Sequence, residues 1–341
     1  GIPGCTAASD TPAAEDDGAA QSHEVGTDTV VGDLQRPWAI EFLPPPSDDL
    51  ALVTEREGYL NLVDLENRTK SRISGLPAIE TPGRAGLLDV AIHPEFSEGT
   101  RWVYLTYVTE GDGGYALTVG RGRLNDGRTR LESFEQLFVA TPYDTGNHYG
   151  GRMVFDEKGH LYVTSGDRQA HHSLQENHPS QDLSSYHGKT LRLNADGSIP
   201  AGNPFVNNED AGDAIFTYGH LNPQGMAVHP DGGAIRQNQH GEQDGDEINV
   251  LDIHNGAAGS NYGRPVATYG VDYGDGSEIG DLPPERPLPK IVRGLQIMRM
   301  TYTLEASPSS GDSPSTSGDG DRASVYRIHP FEALRFSMSS P

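Results

Sequence analysis

Cysteine, lysine and long apolar runs are nearly missing from this sequence. The single cysteine, Cys5, excludes a disulfide within the chain, so packing, with or without bound metal, must hold the fold. No apolar stretch approaches the roughly twenty residues that a membrane-spanning helix needs. Lysine occurs only at Lys70, Lys158, Lys189 and Lys290, which leaves arginine to supply most of the positive charge. The net charge of −24 and a pI of about 4.8 repel phosphate, which argues against nucleic acid and anionic membrane surfaces as partners. Carboxylates in such excess over lysine resemble the surface of a salt-adapted protein. Glycine and proline, by contrast, are plentiful at 42 and 24 residues, and they gather in turn clusters.

The first residues, "GIPGCTAASDTPAAEDDGAAQS", are small, acidic and without periodicity. A Gly-Cys step ahead of such a run resembles the cut end of a lipoprotein signal. Residues 1–26 then read either as a tether with lipid on Cys5 or as an unstructured leader with a free thiol. The first reading makes the protein exported, periplasmic or at the cell surface, and touching a membrane only through that lipid. One sequon, Asn67-Arg68-Thr69, fits an exported chain but is common by chance.

After the leader, short apolar strands alternate with turns: "WAIEFL" (38–43), "LALVTER" (50–56), "YLNLVDL" (59–65), "WVYLTYV" (102–108) and "YALTVGRGRL" (115–124). No amphipathic helix separates them, so the expected class is all-β. A unit of strand, turn and strand recurs around 38–64, 151–168 and 223–240. Repeats of this size suggest propeller blades that bury their faces against their neighbours, with a β-sandwich as the competing architecture. In the third unit the second strand reads "GAIRQNQHG" (233–241), polar where its counterparts are apolar, and is expected to be weak. The organisation expected is a leader (1–26), a propeller domain (27–285) and an atypical tail (286–341). Within the tail, "SPSSGDSPSTSGDGDR" (307–322) is low in complexity and expected to be disordered.

Three clusters carry chemistry. His148 stands just before the strand "RMVFD" and Asp167 just after "LYVTSG"; if those strands form a hairpin, both residues end on one rim. A histidine braced by a carboxylate suits proton abstraction from an alcohol, although such a pair can also merely tie a loop. The second cluster, "QHGEQDGDEIN" (239–249), holds Glu242, Asp244, Asp246 and Glu247 in a glycine-bearing loop. Oxygen donors at that density suit Ca²⁺, or simply make an acidic solvated turn. The third, "GHLNPQG" (219–225), sets Asn222 and Gln224 beside Pro223 and means little alone.

Taken in order, "GRAGLLDVAIHPEF" (83–96), "HYGGRMVF" (148–155), "GKTLRLNADGSIPAGNPF" (188–205), "GHLNPQG", "QHGEQDGDEIN" and "NYGRP" (261–265) resemble the soluble PQQ-dependent glucose and aldose sugar dehydrogenases over residues 27 to 275. The resemblance implies a six-bladed β-propeller holding pyrroloquinoline quinone (PQQ), with Ca²⁺ polarising its carbonyls and an aldose as substrate. It implies that His148 takes the anomeric hydroxyl proton, that Asp167 orients it, and that the product is a lactone. It places the carbonyls of Gly241 and Glu242 near the cofactor's Ca²⁺, and Glu247 and Tyr262 at a second, structural Ca²⁺. Arg84, Asn147, Leu221, Asn222, His240, Asp246 and Tyr273 fall at cofactor-lining positions. The electron acceptor is not named by the motifs.

This chain also departs from the family. Leu221 stands where the family has an arginine against the quinone oxygen, Arg84 replaces a glutamine, Glu242 a proline, and Arg264 a tryptophan. Only about four blades are recognisable, and the last two have no counterpart after about residue 285, so the expected propeller is incomplete, as in a truncated product. The alternative function is a non-catalytic Ca²⁺-binding propeller at the cell surface. A Ca²⁺-dependent lactone hydrolase on a similar propeller has no supporting motif.

Overall fold

The computed structural model describes residues 25–230, 232–243, 245–280, 302–306 and 322–330. Strand β1 (Val25–Gln35) precedes the blades. The first blade is β2 (Pro37–Phe42), β3 (Leu50–Glu55), β4 (Tyr59–Asp64) and β5 (Thr69–Ile73). The second is β6 (Leu87–Ile92), β7 (Trp102–Gly111), β8 (Gly114–Leu124) and β9 (Leu131–Val139). The third is β10 (Gly150–Phe155), β11 (His160–Ser165), β12 (Lys189–Asn194) and β13 (Ile215–Tyr218). The fourth has β14 (Asn222–Val228), β15 (Ala234–His240) and β16 (Glu247–Asp252), and is followed by a pair, β17 (Ala267–Val271) and β18 (Glu278–Gly280).

Each blade is an antiparallel meander in chain order, and the four stand in a β-propeller arrangement. Among the described residues helix is confined to two short 3₁₀ turns, Phe96–Glu98 and His172–Asn177. In the tail, β19 (Tyr302–Ala306) pairs with β20 (Arg322–Pro330), and β20 pairs with β1, in a three-stranded sheet. Residues 1–24, with Cys5, and 307–321 of the low-complexity run lie outside the described residues.

The core lies between sheets rather than inside one. Leu52 and Leu60 of the first blade meet Leu87, Val90 and Leu105 of the second. Leu88, Tyr104 and Val119 of the second meet Met153, Leu161 and Val163 of the third, and Tyr162 and Phe216 of the third meet Ile235 and Leu251 of the fourth. A strand covered on both faces needs apolar side chains on both, which is why "LALVT" and "HLYVT" read as continuous runs. The outermost strand β5, "TKSRI", buries only Ile73.

A hydroxyl stitches each sheet to the next. Thr54 donates to the carbonyl of Leu88 at 2.6 Å, Thr106 to Gly151 at 2.6 Å and Thr164 to Pro223 at 2.9 Å. Each hydroxyl also accepts an N–H of its own blade's inner strand, from Ala39, Asp89 and Arg152 respectively. These threonines are buried, so the same oxygen satisfies two backbone groups that water cannot reach. The fourth blade breaks the series: Asn238, in the matching register of β15, is exposed.

Candidate active site

In the third blade, Gly150 pairs with Ser165, so the segment entering β10 and the segment leaving β11 emerge on one rim. His148 sits on the first with φ 49°, and Asp167 is followed on the second by Arg168 and Gln169 with φ 61° and 58°. These left-handed backbones are uncommon outside glycine and bend both segments toward each other. Their close approach depends on Gly166, where a Cβ would stand 2.2 Å from the carbonyl oxygen of His148.

His148 Nδ1 lies 2.7 Å from Asp167 Oδ1. Asp167 is fully buried; the same oxygen accepts the Gln169 N–H at 2.9 Å, and the Asp167 N–H donates to Leu221 O at 2.7 Å. Its other oxygen, Oδ2, has no hydrogen bond and faces His178 Nε2 and Arg264 Nε, each 3.7 Å away. Burial pushes the His178 pKa down, which favours its neutral form, so the Arg264 guanidinium is the standing positive charge behind Asp167. Arg264 is 3% exposed, pairs with Glu242 through Nη2, and leaves Nε and Nη1 without hydrogen bonds.

Arg168 props the segment that carries His148. Its guanidinium lies 3.4 Å from the Tyr149 ring centroid and donates to Thr145 O, while the Thr145 hydroxyl donates back to Arg168 O at 2.9 Å. From the fourth blade, Asn222 Oδ1 accepts the Gly150 N–H at 3.1 Å. The imidazole is thereby held from both segments and from the neighbouring sheet.

These residues border a cavity of about 970 Å³. Of the residues singled out in the sequence, His148, Asp167, Arg84, Leu221 and Asn222 line it from one side. His240, Gly241, Glu242, Asp246 and Tyr273 line it as well, the last 70% exposed. The loop from Gly241 to Asp246 is closed by the Gly241 N–H donating to Asp246 Oδ1 at 2.8 Å; Asp244 lies outside the described residues. Leu221 is 4% exposed, an aliphatic wall in a polar cavity.

Three positions are not on the cavity wall. Asn147 donates to Gln169 Oε1 at 2.8 Å nearby. Glu247 Oε2 instead accepts from Gln239 at 2.9 Å and Asn249 at 3.2 Å, and burial raises its pKa. Tyr262 stacks on His220 with ring centroids 4.7 Å apart and donates its hydroxyl to Val250 O. Sequence reasoning passed over Gln169, His171, His172 and Asp272, which also line the cavity. The adjacent "HH" just downstream of Asp167 was the one local signal for them.

A four-bladed stretch of β-propeller with a braced histidine opening into a polar cavity defines the structural class. Within it, the chain belongs to the Glucose / Sorbosone dehydrogenase family, whose sequence model matches residues 34–292. It is 39% identical over 251 residues to the aldose sugar dehydrogenase YliI of Escherichia coli (strain K12), a match that spans 73% of this chain and 64% of that protein. Among solved structures, it is similar to the soluble aldose sugar dehydrogenase from Escherichia coli in its apo-form, with a TM-score of 0.68, 37% identity, and coverage of 75% of this chain and 70% of that one. It is also similar to the PQQ-bound form of an aldose sugar dehydrogenase from Streptomyces coelicolor, with a TM-score of 0.60, 26% identity, and coverage of 76% and 71%.

Proposed function

We propose that this chain oxidises an aldose at its anomeric carbon to the lactone, with PQQ and Ca²⁺ as cofactors and an electron acceptor of unassigned identity. The observation that carries the proposal is the 2.7 Å contact between His148 Nδ1 and a buried Asp167 on the wall of the cavity. Asp167 holds the proton on Nδ1, which leaves the Nε2 lone pair to take the hydroxyl proton of the sugar. The carboxylate then stabilises the imidazolium that forms.

The residues present fit a planar polycarboxylate and a hard cation on most of the wall. Arg84 is exposed and makes no ion pair among the described residues, so it is available to a carboxylate. The carbonyls of Gly241 and Glu242, with the carboxylate of Asp246, offer oxygens of the kind Ca²⁺ takes. Asn222 and His240 add further polar groups to the wall. When bound, the quinone would accept the hydride from the sugar carbon while Ca²⁺ draws charge to its carbonyl oxygens. The fit is poorest at Leu221, which offers no charge to a developing oxyanion.

Purified chain supplied with PQQ, Ca²⁺, an aldose and a dye acceptor should reduce the dye. His148→Gln should lower the rate at least about a hundredfold with an unchanged melting temperature, and an undiminished rate would remove His148 from the chemistry. The alternative, a Ca²⁺-binding propeller without redox activity, is favoured by Leu221. It predicts no dye reduction with Ca²⁺ binding intact. Leu221→Arg should raise the rate roughly tenfold or more if the missing charge is the defect.

A further inference from the structure

The geometry points to a second cation site at the cavity wall, made by His171, His172 and Asp272 and suited to a first-row transition dication such as Zn²⁺ rather than to Ca²⁺. One ring nitrogen from each histidine and one carboxylate oxygen of Asp272 lie within 4.8 Å of one another. His172 Nε2 and Asp272 Oδ2 are 3.2 Å apart, close to the edge of about 3.3 Å that bonds of about 2.0–2.1 Å give around a tetrahedral ion. The two imidazoles stack with centroids 4.3 Å apart at 29°, so both rings present their edges together.

The far side of each ring is also provided for. His171 Nδ1 accepts the Ser173 N–H at 3.2 Å and lies 2.8 Å from the Ser173 hydroxyl, so binding through Nε2 requires the tautomer with the proton on Nδ1, which keeps the hydroxyl contact and gives up the N–H one. His172 Nδ1 faces Glu242 Oε1 at 3.8 Å, and Glu242 is itself anchored by Arg264. At 3.8 Å this carboxylate is beyond hydrogen-bond reach, but its charge favours the ring orientation that turns Nδ1 toward it and Nε2 toward Asp272. Two nitrogens and one oxygen favour borderline ions, whereas the oxygen-only donors of the 241–246 loop favour hard ones.

An ion held here joins the segment that follows Asp167 to the turn between β17 and β18, a hundred residues further along. Three protein ligands leave a fourth position for water or an oxygen ligand. None of its three ligands serves the proton transfer, so Zn²⁺ binding is testable without PQQ or an aldose, while the ion shares the wall of the cavity proposed for the cofactor.

Chain stripped with a chelator and titrated with Zn²⁺ alone at neutral pH should bind one ion by calorimetry. A hundredfold excess over Kd should raise the melting temperature by roughly 5 °C. His172→Ala and the isosteric Asp272→Asn should each weaken binding at least about tenfold while their zinc-free melting temperatures stay unchanged. His160→Gln, which removes a His–Asp pair with no third ligand among the described residues, should bind as the parent does. Wild-type Zn²⁺ affinity in both His172→Ala and Asp272→Asn, or equal competition by Ca²⁺, would overturn the assignment.

Discussion

The third and fourth blades are built from opposite materials. In β11 five successive side chains, Leu161 to Ser165, are buried, and the strand is locked between apolar neighbours. In β15 buried and exposed positions alternate, and two of the buried ones are glutamines, Gln237 and Gln239. Gln237 accepts from Thr190 at 2.7 Å and reaches His220 at 3.2 Å, so the seam between these blades is partly a hydrogen-bond network. The proposed base rests on the apolar sheet, and the acidic loop hangs from the polar one. A proton-transfer pair needs fixed geometry, which dense packing supplies; a cation loop needs oxygens, which a polar sheet edge can present.

The sharpest test of this contrast is a matched pair of truncations. Leu161→Ala removes a fully buried side chain from the large cluster between the second and third blades and should cost about 2–5 kcal/mol in urea unfolding. Ile235→Ala, in the small cluster against the fourth blade, should cost less. Equal losses would break the comparison.

The polar seam should betray itself in acid. His220 is fully buried, and burial pulls its pKa down to about 3, whereas the unfolded chain protonates near 6.5. Below about 6.5 the unfolded state binds a proton that the folded state refuses, so stability present at neutral pH is lost as the pH falls toward 3. The loss reaches order 3 kcal/mol by about pH 4. Melting temperatures between pH 7 and pH 4 would show it, and His220→Asn should flatten the profile.

The smallest effect separates stitched from unstitched blades. Thr164→Val leaves the Pro223 carbonyl and the Arg152 N–H without their partner and should cost about 1–3 kcal/mol. Asn238→Ala, at the exposed matching position, should stay within about 0.5 kcal/mol.

Much of this was legible from residues alone because it is local. The strand runs and the recurring two-strand unit follow from periodicity and composition, and the His148–Asp167 pair follows from one hairpin; "GAIRQNQHG", expected to be weak, forms a seven-residue strand paired on both edges. What was hidden depends on distant segments meeting. Arg264 stands 97 positions after Asp167 in sequence yet lies behind it, and Asp272 reaches His172 across 100. The second Ca²⁺ position assigned to Glu247 and Tyr262 was read from motif order, and the structure gives Glu247 amide donors and Tyr262 a stacking partner. The pairing of β20 with β1 joins the two ends of the described chain, which no local pattern announces.

The threonine stitches also bear on how the chain could assemble as it is made. They span 34, 45 and 59 residues in turn, and the entropy of closing a loop grows only with the logarithm of its length. The third closure therefore costs only about 0.5 kcal/mol more than the first. Each sheet finds the backbone it must grip within the next stretch of chain to emerge, so construction can run from the amino end forward without waiting for the remainder.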